Sequence, residues 1–465
     1  MATKPSSPPT TQHLKPADPR IVAHLKQEIE YLAKNNGGIQ GLNYFYEVFK
    51  EVYGNRVREL EQAKRDGKKI IGTFCNFVPE ELIIAADAIP IRLVCGSQEP
   101  ILPAEEVLPR NFCPLIKSSY GFTLTGFPHF DLADVIIVPT TCDGKKKLSE
   151  MLSEVKPTWV LEVPHTTETP QARELWLKEL KLLKKQLEVL TGNKITGKKL
   201  KAAVQLFNKK RAATRRLYNI RSGQTPKIWG RDALMVTNLG LYDDPVRWTE
   251  RVNKLCDELE ARTQPVAPPD APRIMLTGSP IVMPTWKIPV LIEESGGIIV
   301  VDDVCTGSKG LWDPVEVSHF TMIDMLIGLA DKYLMNTCPC FTPNTARMDR
   351  IFALAQDFHV NGALYHVLQA CHLYGMEQLR VERALSELDI PVLNIETDYS
   401  QEDVEQIRTR VEAFIEMIQS KRAVKTGQPT SRPQPVVTKP VVKPAAPQDD
   451  GTPLADRILK PPGQA

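Results

Sequence analysis

The stretch ADVIIVPTTCDGKKK, residues 133–147, decides the fold. Its four apolar residues 135–138 predict a short buried strand that ends at the following proline. A polar turn over residues 140–144 comes next, and the helical pattern begins at Lys145. Cys142 is therefore expected between a strand and a helix, where an open α/β sheet binds its ligand. The amide dipoles of a helix N-terminus also favour a thiolate there over a thiol.

The same alternation of strand and helix recurs along the chain and predicts mostly parallel sheets. In the N-terminal half, apolar runs predict strands at residues 69–74, 91–94, 135–138 and 158–163. In the C-terminal half, they predict strands at residues 273–277, 298–302, 332–335, 362–368 and 391–395. The two series indicate an α/β protein with two sheets.

Changes in composition divide the chain into segments. We predict a disordered segment (1–19), an N-terminal helical segment (20–65), a first α/β domain (66–167), a helical insertion (168–263), a proline-rich linker (264–272), a second α/β domain (273–420) and a disordered proline-rich tail (421–465). Within the second domain, the last amphipathic helix is predicted at residues 401–418, ending before Lys425.

Bulk properties narrow the class of protein. A chain of 465 residues is too long for one core, and its net charge of +2 gives no reason to expect nucleic acid or a membrane surface as a partner. No apolar run approaches the roughly 20 residues of a transmembrane helix, and the N-terminus lacks the apolar core of a signal peptide. We therefore expect a cytoplasmic protein whose nine cysteines are reduced thiols.

Seven of the nine cysteines lie just after a predicted strand or in a polar loop. They are Cys75, Cys113, Cys142, Cys305, Cys338, Cys340 and Cys371. Cys95 follows a strand but has no helix start after it, and Cys256 lies within a helical pattern that predicts a buried core position. Because the seven are expected near the carboxyl edges of two sheets, two facing sheets would bring them to one cleft.

Thiols in this arrangement admit more than one chemistry. Structural zinc sites draw on close pairs such as C-x₂-C, which are absent, and Cys338-Pro-Cys340 is too tight for that geometry. A thiol–disulfide enzyme would also need C-x-x-C. Iron–sulfur clusters accept thiolates from distant loops, so spacing favours iron–sulfur over zinc without excluding zinc.

A second motif, GNKITGKK at residues 192–199, is close to a phosphate-binding loop. Lys199 replaces the Ser or Thr that would hold magnesium, and no buried strand precedes the motif. We therefore predict a helix–turn–helix here, and a chain that does not itself hydrolyse ATP.

Several polar residues stand beside the cysteines. Lys117 follows Cys113, and three lysines at residues 145–147 follow Cys142; such donors stabilise the negative charge of a cluster or bind an anionic substrate. For Lys146 and Lys147, a solvated surface run is an equal alternative. His366 and His372 are predicted to be packed or hydrogen-bonded within the fold rather than to act as ligands.

At these residues the chain resembles the 2-hydroxyacyl-CoA dehydratase D-component/benzoyl-CoA reductase superfamily, over about residues 69–418. The motifs are CNFVPEEL (75–82), TCDGKK (141–146), DVCTG (303–307) and IPVLNIETDYS (390–400). Within the superfamily, LPRNFCPLIKSSYGF (108–122) and QACH (369–372) are most similar to the double-cubane cluster protein branch. The two ends of the chain have no counterpart in this pattern.

The resemblance implies a fold, a cofactor and partners. The fold is two Rossmann-like or flavodoxin-like parallel-sheet domains facing a cleft, with N-terminal and inserted helices. The cofactor is two [4Fe–4S] cubanes bridged by one sulfide, each held by three cysteines. The implied ligands are Cys75, Cys113, Cys142, Cys305, Cys340 and Cys371, with Cys338 as the alternative to Cys340.

The implied activity is that of an anaerobic, homodimeric oxidoreductase. It would take low-potential electrons from a separate ATP-hydrolysing [4Fe–4S] activator and pass them to a small-molecule substrate. Two alternatives remain open: a 2-hydroxyacyl-CoA dehydratase subunit with a single [4Fe–4S] cluster, and a cluster scaffold without catalytic activity.

Overall fold

Two parallel four-stranded sheets form the centre of the computed structural model, which describes residues 15–426. The first sheet contains β1 (Ile70–Thr73), β2 (Ile89–Arg92), β3 (Val135–Pro139) and β4 (Thr158–Leu161), in the spatial order β2-β1-β3-β4. The second contains β5 (Arg273–Gly278), β6 (Ile298–Asp303), β7 (Gly362–Leu368) and β8 (Val392–Thr397), in the order β6-β5-β7-β8. The predicted α/β fold with two parallel sheets is confirmed.

Helices cover both sheets and fill the segments between them. Before and within the first sheet they are α1 (Pro19–Lys34), α2 (Asn43–Lys50), α3 (Asn55–Arg65), α4 (Glu80–Ala85), α5 (Ile101–Ala104), α6 (Pro114–Thr125), α7 (Pro128–Leu132) and α8 (Asp143–Ser153). The inserted helices are α9 (Pro170–Thr191), α10 (Gly197–Ser222), α11 (Gly230–Leu239) and α12 (Pro245–Ala261). The second half contains α13 (Lys287–Glu294), α14 (Ser308–Leu311), α15 (Met322–Leu334), α16 (Thr345–Asp357), α17 (His372–Ser386) and α18 (Val404–Thr426).

Burial on both faces explains why the inner strands of the sheets, such as β3, are continuous apolar runs. In β3, Ile136 and Val138 pack into a core that includes the N-terminal helices, whereas Val135 and Ile137 pack into a second core with helices α9, α10 and α15. All five residues of β3 are buried. A strand between two helical layers cannot alternate apolar with polar residues, as the sequence 135–138 already indicated.

The carboxyl edges of the two sheets face each other and are joined by hydrogen bonds between loops. Gly96, beyond β2, pairs with the segment before α13: its N–H donates to the Met283 carbonyl (2.7 Å), and its carbonyl accepts from the Thr285 hydroxyl (2.5 Å). The Asn76 amide donates to the Cys305 carbonyl (2.6 Å). The loops that follow β1 and β6 are therefore fixed to each other.

The structure corrects several predicted boundaries. Residues 332–334 end helix α15 and are not a strand, so Cys338 follows a helix. The last helix runs to Thr426 instead of ending before Lys425. The predicted N-terminal helical segment (20–65) consists of α1, a short 3₁₀ turn, α2 and α3. The predicted disordered ends lie largely outside the described residues.

Candidate metal centre

Five cysteines occupy the loops at the facing sheet edges. Cys75 comes two residues after β1, and Cys305 comes two residues after β6. Cys113, Cys142 and Cys371 are the N-cap residues of α6, α8 and α17. Helix N-termini present unpaired N–H groups and a positive dipole end, so three of the five thiols lie where a thiolate is stabilised. The predicted position of Cys142 between a strand and a helix is confirmed.

Thiol–thiol contacts show that the two halves of the chain share this site. Cys113 from the first half hydrogen-bonds Cys371 from the second, and Cys338 hydrogen-bonds Cys340 in the loop after α15. Four cysteines line one cavity of about 470 Å³: Cys113, Cys142, Cys340 and Cys371. The cavity thus brings together cysteines that are distant in the sequence: Cys113 and Cys371 are 258 positions apart.

Lys145 lies among these cysteines and links them electrostatically. Its ammonium donates to the Thr141 hydroxyl (2.8 Å), and its backbone N–H donates to the Cys142 sulfur (3.4 Å). Burial lowers the pKa of Lys145, but the negative field of Cys75, Cys142, Cys338 and Cys305 more than offsets this, so the net shift is upward. A fixed positive charge therefore stands close to at least four sulfur atoms.

The cysteines differ in how readily they ionise. The hydrogen bond from Cys113 lowers the pKa of Cys371 to about 6, and the hydrogen bond from Cys340 lowers that of Cys338 to about 6. Burial raises the pKa of Cys305 to about 11, although Lys309 opposes this shift. The pKa of the partner in each pair, Cys113 and Cys340, is shifted upward, so each pair shares one proton between its two sulfurs, and these shifts do not choose the metal ligand within a pair.

A buried network of ionic groups surrounds Cys305. Lys309 forms an ion pair with Asp303 (3.4 Å) and approaches the Tyr374 hydroxyl (3.4 Å). That hydroxyl lies 3.5 Å from the Cys305 sulfur. Arg347, which is fully buried, pairs with Asp303 and also with Glu377 on α17. These charges connect β6, α16 and α17 behind the cysteine loops.

The donor set does not suit a single metal ion. Within residues 15–426, no three His, Cys, Asp or Glu side chains are grouped closely enough to hold one ion. A structural zinc would need four such ligands at about 2.0–2.3 Å from the metal. Instead, two cysteines from each half of the chain line one cavity from two sides, a spread that suits an inorganic group with several metal atoms. The residues present therefore fit an iron–sulfur group.

Other predicted residues have different surroundings. Cys256 is a fully buried core residue of α12, as predicted, and Cys95 is buried with its sulfur 3.7 Å from the Tyr53 hydroxyl. The Lys117 ammonium contacts Glu105 (2.7 Å) and the Arg110 carbonyl (2.8 Å), so its predicted role as a donor at the cluster is not supported.

Among the lysines at residues 145–147 and the two histidines, some side chains line the cavity and others do not. Lys147 is exposed and pairs with Glu150 (2.8 Å), which matches the surface alternative, whereas Lys146 lines the cavity. His366 is buried with Nδ1 3.3 Å from the Ser279 carbonyl, as predicted. The prediction for His372 is wrong, because this side chain is exposed and lines the cavity beside Cys371.

Residues 192–199 form the predicted helix–turn–helix. Gly192 ends α9 in a left-handed conformation (φ 71°), and the Thr196 side chain caps α10 by accepting from the Lys199 N–H. The element before this turn is helix α9, not the buried strand of a phosphate-binding loop.

Sequence reasoning missed Asn76, Lys309 and Tyr374. Each is near a candidate cysteine in sequence: Asn76 directly after Cys75, Lys309 four residues after Cys305, and Tyr374 three residues after Cys371. The last two spacings correspond to one helical turn, so the residues around a helix start were the available signal. Their contacts, however, join segments more than 60 residues apart.

The chain matches a family model and several known proteins. The model of the 2-hydroxyglutaryl-CoA dehydratase D-component matches residues 75–418. The Escherichia coli (strain K12) protein named "Putative dehydratase subunit YjiM" is 36% identical over 390 residues, covering 82% of this chain and 99% of the relative. The (R)-phenyllactyl-CoA dehydratase beta subunit of Clostridium sporogenes is 25% identical (80% and 98% covered), and a benzoyl-CoA reductase subunit of Thauera aromatica is 22% identical (80% and 96% covered).

Membrane insertion through a helix finds no support in residues 15–426, where every helix is too short or too polar to cross a bilayer.

Proposed function

Because the chain belongs to the 2-hydroxyglutaryl-CoA dehydratase D-component family, we propose that it is an iron–sulfur reductase component. It holds two [4Fe–4S] cubanes joined by a sulfide, receives low-potential electrons from an ATP-hydrolysing [4Fe–4S] activator, and reduces a small-molecule substrate. The ligands are Cys75, Cys113 and Cys142 from the first sheet region, with Cys305, Cys340 and Cys371 from the second.

One observation supports this proposal above the others: Cys113 and Cys142 from the first half of the chain and Cys340 and Cys371 from the second line the same cavity. Relatives in the family are named as dehydratase and reductase subunits, so both reactions are candidates. Three cysteines are enough to hold one cubane that keeps an open iron site, whereas this chain offers three from each half. The excess of thiols favours the larger cluster.

The chain's own residues have definable tasks at the site. The cluster, when bound, supplies one-electron transfer at low potential. The helix N-termini at Cys113, Cys142 and Cys371 and the ammonium of Lys145 offset its negative charge. The cavity of about 470 Å³ in front of Cys113, Cys142, Cys340 and Cys371 gives a substrate access to the sulfur-lined wall.

The alternative functions predict different iron contents. Protein purified without oxygen should contain about eight irons per chain if it holds two cubanes, and about four if it is a single-cubane dehydratase subunit. Mössbauer spectroscopy on the same sample reports the cluster type. Zinc in place of iron would contradict every iron–sulfur assignment.

A cysteine variant tests the site within the same measurement. Cys371→Ser should lose roughly half of the iron, about four atoms, because its sulfur is one of three on its cubane. Cys256→Ser is the matched control, since Cys256 is buried in α12 outside the site. Equal iron in both variants would place the metal elsewhere.

A turnover assay separates the reductase from a scaffold. With the activator, ATP and a strong reductant supplied, a reductase should oxidise its reduced cluster on addition of substrate. A scaffold would remain redox-silent. The homodimer implied by the family resemblance is tested by light scattering on the same preparation.

A further inference from the structure

Tyr374, which follows the proposed ligand Cys371, contacts the sulfur of a second proposed ligand, Cys305, in the segment after β6. It lies in the first turn of α17, three residues after Cys371, and is buried. Its hydroxyl oxygen is 3.5 Å from the Cys305 sulfur. An O–H group at this distance from sulfur is within hydrogen-bonding range, and the sulfur of a metal-bound cysteine is a thiolate that can only accept.

Lys309 fixes the direction of that hydrogen bond. Its ammonium lies 3.4 Å from the Tyr374 oxygen and is held in place by Asp303 (3.4 Å). An ammonium carries donors and no acceptor, so the Tyr374 oxygen must accept from Lys309. The single hydroxyl proton of Tyr374 is then directed to the Cys305 sulfur.

The first half of the chain contains the same arrangement. The Lys145 ammonium donates to the Thr141 hydroxyl (2.8 Å), and that hydroxyl lies 3.9 Å from the Cys75 sulfur. A lysine therefore orients a hydroxyl toward one cysteine sulfur in each half. The contact at Cys305 is 0.4 Å shorter than the contact at Cys75, so the hydrogen bond from Tyr374 is the stronger of the two.

We propose that Tyr374 and Thr141 are positioning residues that set the reduction potentials of the two cluster halves, with Lys309 and Lys145 orienting their hydroxyl protons. The inference rests on the proposed function. A hydrogen bond to a ligand sulfur stabilises the more negative, reduced state and so raises the potential. Because the contact at Cys305 is shorter, the contribution of Tyr374 to the potential is the larger of the two.

Replacement of each hydroxyl tests the proposal through a potential. Tyr374→Phe and Thr141→Val should each lower the midpoint potential in an EPR-monitored redox titration, and Tyr374→Phe should have the larger effect. The reduced wild-type cluster should also show a solvent-exchangeable proton coupling in ENDOR spectra that is lost in Tyr374→Phe.

Matched controls remove buried hydroxyls away from the site. Tyr46→Phe deletes a buried hydroxyl that donates to Asp232 (3.0 Å), and Thr237→Val deletes one that donates to the Leu234 carbonyl (2.9 Å). Neither change should move the potential. If Tyr374→Phe binds wild-type iron but titrates at the wild-type potential, the proposal is overturned and the proposed function stands. If wild-type protein binds no iron, the proposed function itself fails.

A second variant keeps the proposal testable if Tyr374→Phe does not fold or does not bind the cluster. Incorporation of 3-fluorotyrosine at position 374 keeps the ring and the hydroxyl and makes the O–H a stronger donor. The potential should then rise, opposite in sign to the effect of phenylalanine. A fluorinated protein with an unchanged or lowered potential would also overturn the proposal.

Discussion

Cys338 and Cys340 are separated by one proline but have different surroundings. Cys338 is buried, and its neighbour's thiol donates to it. Cys340 is partly exposed and lines the cavity together with Cys113, Cys142 and Cys371. Because Cys340 and not Cys338 lines the cavity with the other thiols, the structure favours Cys340 as the ligand, whereas the sequence did not choose between the two.

We predict that Cys340→Ser loses more iron than Cys338→Ser. The serine hydroxyl is a poor substitute for a cluster thiolate, so the ligand variant should lose about four irons per chain, whereas the other should keep most of them. Iron analysis of both variants, purified in parallel without oxygen, is the measurement. The reverse order would assign Cys338 as the ligand.

A buried histidine far from the cysteines makes stability depend on pH. His129 is fully buried among the rings of Tyr53, Phe127 and Tyr242, and neither ring nitrogen has a hydrogen-bond partner. Burial, assisted by Arg56, lowers the pKa of His129 to about 3. Between pH 6.5 and 3 the unfolded chain binds a proton at His129 that the folded chain does not bind. The free energy of unfolding is therefore highest above pH 6.5 and decreases as the pH falls below it.

His129→Leu should therefore reduce this pH dependence. The wild-type free energy of unfolding should lose about 2 kcal/mol through His129 between pH 8 and pH 5, and the variant should not show this loss. Urea denaturation at the two pH values measures the difference. His319→Leu, which replaces an exposed ring, should keep the wild-type dependence. A His129→Leu profile parallel to wild type would contradict the prediction.

At the scale of single residues, the sequence indicates the cysteines but not their polar partners. Cys142 and Cys371 stand out because a thiol between an apolar run and a helical pattern is visible locally. Tyr374 and Lys309 are not visible, because an aromatic residue or a lysine near the start of a helix has many ordinary roles. Only the contacts of α17 with Cys305 and with Lys309 on α14 show that both side chains serve Cys305.

Among the elements, the strands were the most predictable. The strand at residues 362–368 has the predicted bounds, because Asn361 and Gly362 mark its start and a polar turn follows its end. The predicted strand at residues 332–335 is wrong because a short apolar run is ambiguous by itself. The residues before this run, back to Met322, have the apolar spacing of a helix, and the run forms the end of that helix, α15.

Arg347 joins three elements of the second half through buried ion pairs. It lies on α16 and pairs with Asp303 at the end of β6 and with Glu377 on α17, and it also contacts the Thr277 hydroxyl (3.3 Å). Removal of a cation from such a network leaves buried carboxylates without their partner, which is far more costly than loss of a surface pair.

Arg347→Met should lower the free energy of unfolding by about 3–5 kcal/mol. Lys147→Met is the control, because its pair with Glu150 is exposed on α8, and its removal should leave the unfolding midpoint close to that of the wild type. Chemical denaturation of both variants gives the comparison. Similar midpoints for the two would show that the buried network contributes little to stability.

Over the whole molecule, the two sheets repeat one plan. If the four strands of each sheet are numbered along the chain, their order across the sheet is second, first, third, fourth in both cases. Cys142 and Cys371 are equivalent in this plan, since each is the third residue after the third strand of its sheet and the N-cap of the next helix. The sequence could predict that two such sheets face each other, and the domain boundaries that it suggests remain a proposal.

What the sequence could not indicate is how the two edges are fixed together. The Asn76 side chain crosses from the loop after β1 to the Cys305 carbonyl (2.6 Å), so one amide connects the segments of two proposed ligands. A contact over 229 positions has no local pattern. It arises because the loops at the carboxyl ends of the two sheets meet in the folded chain.

Asn76→Ala should weaken cluster retention more than it weakens the fold. Loss of one hydrogen bond costs about 1 kcal/mol of stability. Since that bond holds two ligand loops together, we expect an iron chelator to remove metal about five- to tenfold faster, the factor that about 1–1.4 kcal/mol gives. Asn361→Ala is the matched control: its side chain accepts from the Arg273 N–H (3.0 Å) within the second half alone. Equal chelation rates in the two variants, at equal loss of stability, would show that the crossing amide does not hold the ligand loops together.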